Sequence, residues 1–467
     1  MNDFLVRICQ IEMRGFKNTK SGVITLPSAL TEDFFSRRCD LLGIYGQNGS
    51  GKTAIIEAMD FIGMLLSGRA LPKETVDYIN REDDICSIAV TFAVEENGYK
   101  RKVIYSVLLK KLSVEDFSII DESLVSFDWN GEKFESKKTL LRFTAEDKGG
   151  SFYPDYRYKA LVQSDEDNKL NLGVARKIAE KEHSSIIFGN EGRKIFLSAP
   201  KEEFADYRTV IGLLYRYAAV NLFVISNVHS GGISLNLMLP FSFRMEMQTG
   251  IAKGDIPVRL DVPSILSNQH YQMVTAIIEE MNTVLGTMIP ELSVGVHDFG
   301  EQLMENGEHG RKIQLVSHRG AITIPLKYES EGIIKIISIL NVLMCVYNDP
   351  SMCLLIDELD AGIFEYLLGE ILSVFNKGAK GQIIFTSHNL RALEMLDKSS
   401  IVFSTTNENN RYIRLQNVKT NNNLRDMYLR SITLGGQKET VYAETDTVEI
   451  GRAFRRAGKA VRNGSKD

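Results

Sequence analysis

Eight consecutive residues, Gly46-Gln47-Asn48-Gly49-Ser50-Gly51-Lys52-Thr53, set three glycines, a lysine and a hydroxyl at the spacing a phosphate chain requires. Gly46, Gly49 and Gly51 leave room for backbone N–H groups to close on a β-phosphate at the start of a helix. Lys52 supplies a cation for the β- and γ-phosphates, and the Thr53 hydroxyl a ligand for Mg²⁺. The bland alternative is a glycine-rich turn that binds nothing, but G-x-x-x-x-G-K-[ST] is matched at every fixed position. The flanks agree with the ligand-binding reading. Leu41 to Tyr45 is an apolar run that reads as a buried strand, and Thr53 to Leu66 carries apolar residues at helical spacing. ATP with Mg²⁺ is the expected ligand.

Three further groups could complete the chemistry. The apolar run Leu354 to Ile356 ends in two adjacent carboxylates, Asp357 and Glu358. Such a pair is often a solvated turn. Downstream of a phosphate loop, Asp357 is suited to hold Mg²⁺ through water, and Glu358, on the opposite face, to polarise the attacking water. His388 follows the apolar strand Ile383 to Phe385 and Thr386-Ser387, and is expected beside the γ-phosphate, the alternative being a structural histidine. In Glu329-Ser330-Glu331-Gly332, Ser330 can cap an apolar helix running from Gly332 to Val346. A serine with free N–H groups at a helix N-terminus is also an anion site. For the base, Phe16 is a candidate contact, with a core role the plainer reading; Arg14 and Lys17 lie in the same segment and could approach the phosphates.

The order of these motifs resembles the ABC-type ATPase heads of the structural-maintenance, Rad50 and RecF kind. More narrowly, it is similar to the AAA15/AAA21 group of prokaryotic defence ATPases, over nearly the whole chain. Ile11 to Asn18 (IEMRGFKN) resembles the opening strand of that group, with Gly15 where an asparagine is usual, and the signature is S-E-G, not LSGGQ. IPLKYESEG, DELDAGIFEYLLGEIL and FTSHNLRALE look most like the ATPase subunits of PARIS anti-phage systems. The resemblance implies slow, dimer-gated ATP hydrolysis in which Ser330 and Gly332 complete a partner subunit's site in trans. It also implies self-association as an ATP-sandwich dimer or a ring of dimers, a separately encoded nuclease effector, and a phage-encoded trigger. Related ATPases often carry a Toprim nuclease in the same chain. Beyond Lys419 only about fifty residues remain here, fewer than an ordinary domain needs.

Composition bounds the rest. The chain has 467 residues, 44% hydrophobic and 25% charged, ordinary for a globular protein with a large core. The longest apolar stretches, Leu213 to Val228 and Ile333 to Tyr347, are interrupted by Arg216 and Asn221 and by Lys335 and Asn341. No membrane span or signal peptide is therefore expected. Five cysteines without paired spacing fit small core residues in a reducing compartment, and the expected location is the cytoplasm. The formal net charge of −5 disfavours, without forbidding, direct DNA contact. A basic end (Arg452, Arg455, Arg456, Lys459, Arg462, Lys466) reads equally as a polyanion contact, a disordered end or a partner-docking segment.

Roughly 300 residues separate Lys52 from Asp357, far more than one βαβ unit of about 30 needs, so the head must be interrupted. Residues 1–144 are expected to hold the phosphate loop and an antiparallel subdomain (86–94, 102–109, 124–129), and residues 145–262 a compact, mainly helical insertion. Residues 263–419 should carry a helix over 263–285, three strands, the signature, the carboxylates and the histidine, and 420–467 a C-terminal extension. No heptads support a coiled-coil arm. The predicted fold is an α/β ABC-type P-loop head: a mixed sheet flanked by helices, an antiparallel β subdomain and a helical insertion. Three functions stay open at this level: a regulatory ATPase controlling a nuclease, a RecF-type ATPase acting directly on DNA, and a stand-alone nucleotidase.

Overall fold

The computed structural model describes residues 4–145, 151–165, 167–199, 204–226, 238–247, 250–304, 307–415, 423–434, 437–443 and 445–463. The first strands are β1 (Phe4–Phe16), β2 (Thr19–Thr25), β3 (Asp40–Tyr45), β4 (Ile85–Glu96), β5 (Tyr99–Lys111), β6 (Phe117–Asp128), β7 (Lys138–Thr144) and β8 (Ser151–Tyr153). All except β3 form one sheet in the order β2-β1-β4-β5-β6-β7-β8, antiparallel at every pairing. In β5, Val103, Tyr105, Val107 and Leu109 are buried while their neighbours are less so, the two-residue period of a sheet with one face on a core. β3 is buried at all six positions because it runs through the middle of the second sheet with both faces covered.

That second sheet holds the site. Its other strands are β9 (Leu222–Ile225), β16 (Cys353–Ile356), β17 (Gln382–Thr386), β18 (Ile401–Ser404) and β19 (Tyr412–Ile413), in the order β19-β18-β3-β17-β16-β9. Every pairing is parallel except that of β18 with β19. The helix Lys52–Leu66 packs in one core with both sheets: Ile55, Met59 and Ile62 join Ile8, Ile88 and Val90 on one side and Ile44, Leu355 and Ile384 on the other. A polar clamp ties the sheets at the end away from the phosphate loop. Arg7, fully buried, donates to the carbonyls of Pro350, Lys380 and Arg38 and pairs with Asp40 at 3.1 Å, while Gln382 bonds Ile8 through both its N–H and its carbonyl.

Between the halves of the head the chain differs from the expected helical insertion. Helices do run over Asp155–Ser164, Asn168–Glu182, Asn190–Ser198 and Ala205–Arg216, ending in a π-helical turn, Tyr217–Asn221. β9 then re-enters the ATPase sheet beside β16, and β10 (Met238–Met247) and β11 (Gly250–Arg259) form a hairpin. Leu239, Phe241 and Phe243 alternate with Pro240, Ser242 and Arg244, so the hairpin buries one face against Ile334, Ile337 and Leu340 of the helix Glu331–Asn348. The expected helix from 263 also begins later. Ser264–Ser267 is strand β12, and Ser267 caps the helix Asn268–Met288 by accepting from the His270 N–H at 3.2 Å. β13 (Leu292–Leu303), β14 (His309–Arg319) and β15 (Ile322–Pro325) complete a small antiparallel sheet with β12. Among the described residues the longest helix, Asn268–Met288, has 21 residues, and none forms a coiled-coil arm. All five cysteines are free. Among the described residues one helix, Glu331–Asn348, is long and apolar enough to cross a membrane; 67% of it is buried in the interior.

Candidate functional site

The phosphate loop follows directly from β3. Gly51 caps the helix Lys52–Leu66 at φ 88°, a conformation that costs an L side chain about 1–2 kcal/mol. A Cβ on Gly46 would lie 2.0 Å from Ser404 Oγ, so the close approach of β18 also demands glycine there. Ser50 Oγ shares a 2.5 Å hydrogen bond with Ser404 Oγ, Asn18 Nδ2 donates to Gly49 O at 2.6 Å, and Tyr412 OH donates to Gly51 O at 2.6 Å. The loop is thus braced on three sides. Lys52 is buried and folds back to donate to Gly46 O at 2.9 Å and Gln47 O at 3.0 Å. Burial lowers its pKa, and the charges of Asp357, Glu358 and Asp360 oppose that shift. Asn48 and Gly49 are exposed at the loop tip, and Thr53 is half-buried in the first helical turn.

The sheet order β3-β17-β16 brings the phosphate loop, the histidine and the carboxylates to the carboxyl ends of three adjacent parallel strands, where such sheets bind ligands. Asp357 is only 1% exposed. Its Oδ1 accepts from Thr386 Oγ1 at 2.5 Å, while its buried Oδ2 has no hydrogen-bond partner. A buried carboxylate oxygen left in that way is costly unless a cation takes it. An oxygen of this kind suits a hard divalent ion such as Mg²⁺. Glu358 does not continue the strand alternation expected of it. The strand ends at Ile356, and Glu358 sits half-buried in a left-handed turn at φ 49°. Thr386 Oγ1 accepts from its N–H at 2.8 Å, and Lys335 Nζ donates to its carbonyl oxygen. His388 is exposed, its N–H donating to Asp360 Oδ2 at 3.1 Å. Desolvation, and after it the Lys52 charge, pull the imidazole pKa below its ordinary value against Asp360, Glu358 and Asp357.

The signature residues have partners of their own at the start of the helix Glu331–Asn348. Ser330 is exposed and caps Glu331–Asn348, its Oγ accepting from the Ile333 N–H at 3.4 Å. Gly332 is buried for a reason internal to the chain: a Cβ there would stand 1.9 Å from Gly362 O. Of the candidate base contacts, Phe16 is fully buried against Phe61 and Tyr78, the core role. Lys17 pairs with Glu57 at 2.5 Å, and Arg14 with Glu12 at 2.9 Å.

Several participants escaped the sequence reading. Asp360 stood inside LLIDELD, and Lys335 is a lone cation in an apolar helix, a signal that was visible. Ser404 and Tyr412, which brace the loop from β18 and β19, left no local signal. The C-terminal extension was equally silent. Ala443 N–H donates to the Gln47 side-chain oxygen at 2.7 Å, the Thr406 N–H donates to Thr440 O at 3.0 Å, and Asn407 and Asn410 both donate to Glu439. Val441 is buried in the core beside Phe403 and Tyr428. The segment 437–443 is therefore strapped to the phosphate loop.

A parallel sheet with a phosphate loop, paired carboxylates and a following histidine, flanked by an antiparallel β subdomain, defines an ABC-type P-loop ATPase head. Residues 41–394 match the family model described as "AAA domain, putative AbiEii toxin, Type IV TA system", and the chain belongs to that family. No curated protein matches it in sequence. Among solved structures it is similar to the Smc head domain with an extended coiled coil bound to the C-terminal domain of ScpA from Pyrococcus furiosus. That match has 13% identity, covers 88% of this chain and 96% of that one, and has a TM-score of 0.40. It is also similar to the SMC head domain from Thermotoga maritima, at 14% identity, 88% and 99% coverage and a TM-score of 0.36.

Proposed function

We propose that this chain is a cytoplasmic, Mg²⁺-dependent ATPase, slow and gated by dimerisation, that serves as the regulatory subunit of an abortive-infection defence. In this reading it holds a separately encoded nuclease, of Toprim type, and releases it when a phage-encoded trigger arrives, as a PARIS ATPase of the AriA kind would. The observation that carries the ATPase part is the unpartnered Oδ2 of buried Asp357, whose charge acts on Lys52 of the phosphate loop. Thr53 and Asp357 would hold the metal, which when bound neutralises charge on the β- and γ-phosphates. The backbone N–H groups of Gly46, Gln47, Asn48, Gly49, Ser50 and Gly51 would wrap the phosphates, and Lys52 would leave the loop carbonyls for the β- and γ-phosphates. Glu358 would take the proton of the attacking water, with His388 beside the γ-phosphate. Ser330 and Gly332 would close the site of a second copy, which makes the competent unit a two-fold dimer.

The regulatory part draws its support from the C-terminal extension. The strap on Gln47 leads into the helix Thr447–Asn463, on which Val448, Ile450 and Phe454 are exposed beside Arg452, Arg455 and Arg456. Phe454 is 77% exposed. A segment that touches the phosphate loop at one end and offers apolar and basic groups at the other suits a link between nucleotide state and an effector. The same arginines favour the second reading, a RecF- or Rad50-like ATPase that contacts DNA directly, against which stands the net charge of −5. Purification of the tagged chain expressed with its neighbouring genes tests the first reading. A nuclease should co-purify and be lost on adding the trigger; DNA binding by the chain alone, with no protein partner, would favour the second.

A further inference from the structure

One buried cation stands between the signature helix and the carboxylates. Lys335 lies in the second turn of Glu331–Asn348, is 4% exposed, and directs its Nζ to the carbonyl oxygen of Glu358. The residue it holds is in a conformation that side chains seldom adopt: Glu358 has φ 49° and Gly362, four residues on, φ 75°. The turn is gripped at both ends. Thr386 Oγ1 accepts the Glu358 N–H at 2.8 Å, and Gly332 N lies close enough that a Cβ on Gly362 would meet it at 3.1 Å. The start of the signature helix and the turn from Asp357 to Ile363 therefore pack as one body, with Ser330 exposed on its outer side.

We propose that Lys335 is a positioning residue that sets the Glu358 carboxylate for catalysis by holding its backbone in the left-handed turn, and so joins the signature helix to the catalytic turn of the same subunit. The proposal rests on the ATPase reading of the site. Lys335 does not touch nucleotide; it acts through the Glu358 carbonyl. Desolvation lowers the pKa of its ammonium, and the charges of Asp360, Glu358, Glu331 and Asp357 oppose that shift. A neutral side chain of the same length would leave the Glu358 carbonyl without this donor and release the turn toward ordinary backbone angles.

The full-length chain carrying Lys335→Met, with Lys335→Gln as a smaller change should the first fold poorly, is compared with wild type in three measurements. Affinity for a fluorescent ATP analogue should stay within twofold. The kcat for ATP should fall at least tenfold with KM unchanged. Amide exchange at residues 357–361 should speed up about tenfold, while exchange in β3 and in the helix Lys52–Leu66 stays as in wild type. Lys335→Arg, which keeps a donor and a charge, should restore part of both kcat and protection. Unchanged kcat, whatever the exchange shows, overturns the proposal. So does a loss of ATP affinity together with faster exchange across the whole molecule, which would mark a structural role alone. If wild type itself hydrolyses no ATP, the ATPase reading falls. The exchange arm then decides whether Lys335 holds the turn, and unaltered exchange at 357–361 removes that claim too.

Discussion

Asp357 and Glu358 are neighbours in sequence and opposites in environment. The first is buried with one oxygen bonded to Thr386 and the other unpartnered; the second is half-buried in a strained turn. Their substitutions should accordingly fail in different ways. Glu358→Gln keeps the shape and removes the base, so ATP should bind with unchanged affinity while turnover falls by about 10²–10⁴. Asp357→Ala removes the oxygen suited to the metal, so binding should lose its dependence on Mg²⁺ before any question of turnover arises. Titrating nucleotide with and without Mg²⁺ for each variant separates the two, and normal hydrolysis by both would refute these roles. Lys52→Ala should abolish binding altogether, since Gly46 O and Gln47 O hold the only lysine of the loop where phosphates would draw it away.

Among the elements, the signature helix carries two separable tasks. Gly332→Ala would drive a Cβ to 1.9 Å from Gly362 O, and the helix or the turn must move. The isolated chain should lose about 1–3 kcal/mol, read as a lower urea midpoint. Ser330→Arg removes the N-cap of the same helix and should cost about 1 kcal/mol in that titration, and it should in addition abolish hydrolysis and ATP-dependent self-association together. Mixing supplies the check on a shared site. Ser330→Arg and Lys52→Ala subunits, each inactive alone, should regain part of the hydrolysis when combined, because one of the two composite sites is intact. No recovery in mixtures proven to exchange subunits would mean that the helix serves only its own chain.

On the scale of the whole molecule, two devices set what holds together and what can be reached. The Arg7–Asp40 clamp ties the antiparallel sheet to the ATPase sheet through carbonyls drawn from three separate loops. Arg7→Met leaves Asp40 buried with its remaining partners, Ser28 and Gln382, and should cost about 3–5 kcal/mol in a denaturant titration. A loss below 1 kcal/mol would show that the clamp is dispensable. At the other end, the C-terminal helix is attached through the strap on Gln47. Deleting residues from Gly451 onward should release a co-expressed effector while ATP affinity stays within twofold, because the strap through Ala443 remains. Phage protection by this chain expressed without any neighbouring gene would contradict the effector model outright.

The sequence by itself determined the elements whose signals are local. The glycines and Lys52 of the phosphate loop, the apolar strands before Asp357 and His388, and the capped helix at Ser330 are all written in runs of a few residues. The structure finds them within a residue or two of where the pattern ends. The alternating hairpin Met238–Arg259 was legible in the same way but masked by Pro240 and Pro257, which speak against a strand unless it lies at a sheet edge, as both strands of this two-stranded hairpin do. Only the tertiary structure decided the rest. That β9 joins the ATPase sheet, that Lys335 reaches Glu358, that Gly332 is a packing glycine and that residue 443 touches residue 47 all depend on contacts between segments far apart in the chain. Such contacts leave no period and no motif, because the free energy that specifies them comes from the shape of the surface each segment meets on folding, and that surface exists only once the two sheets have closed on the phosphate-loop helix.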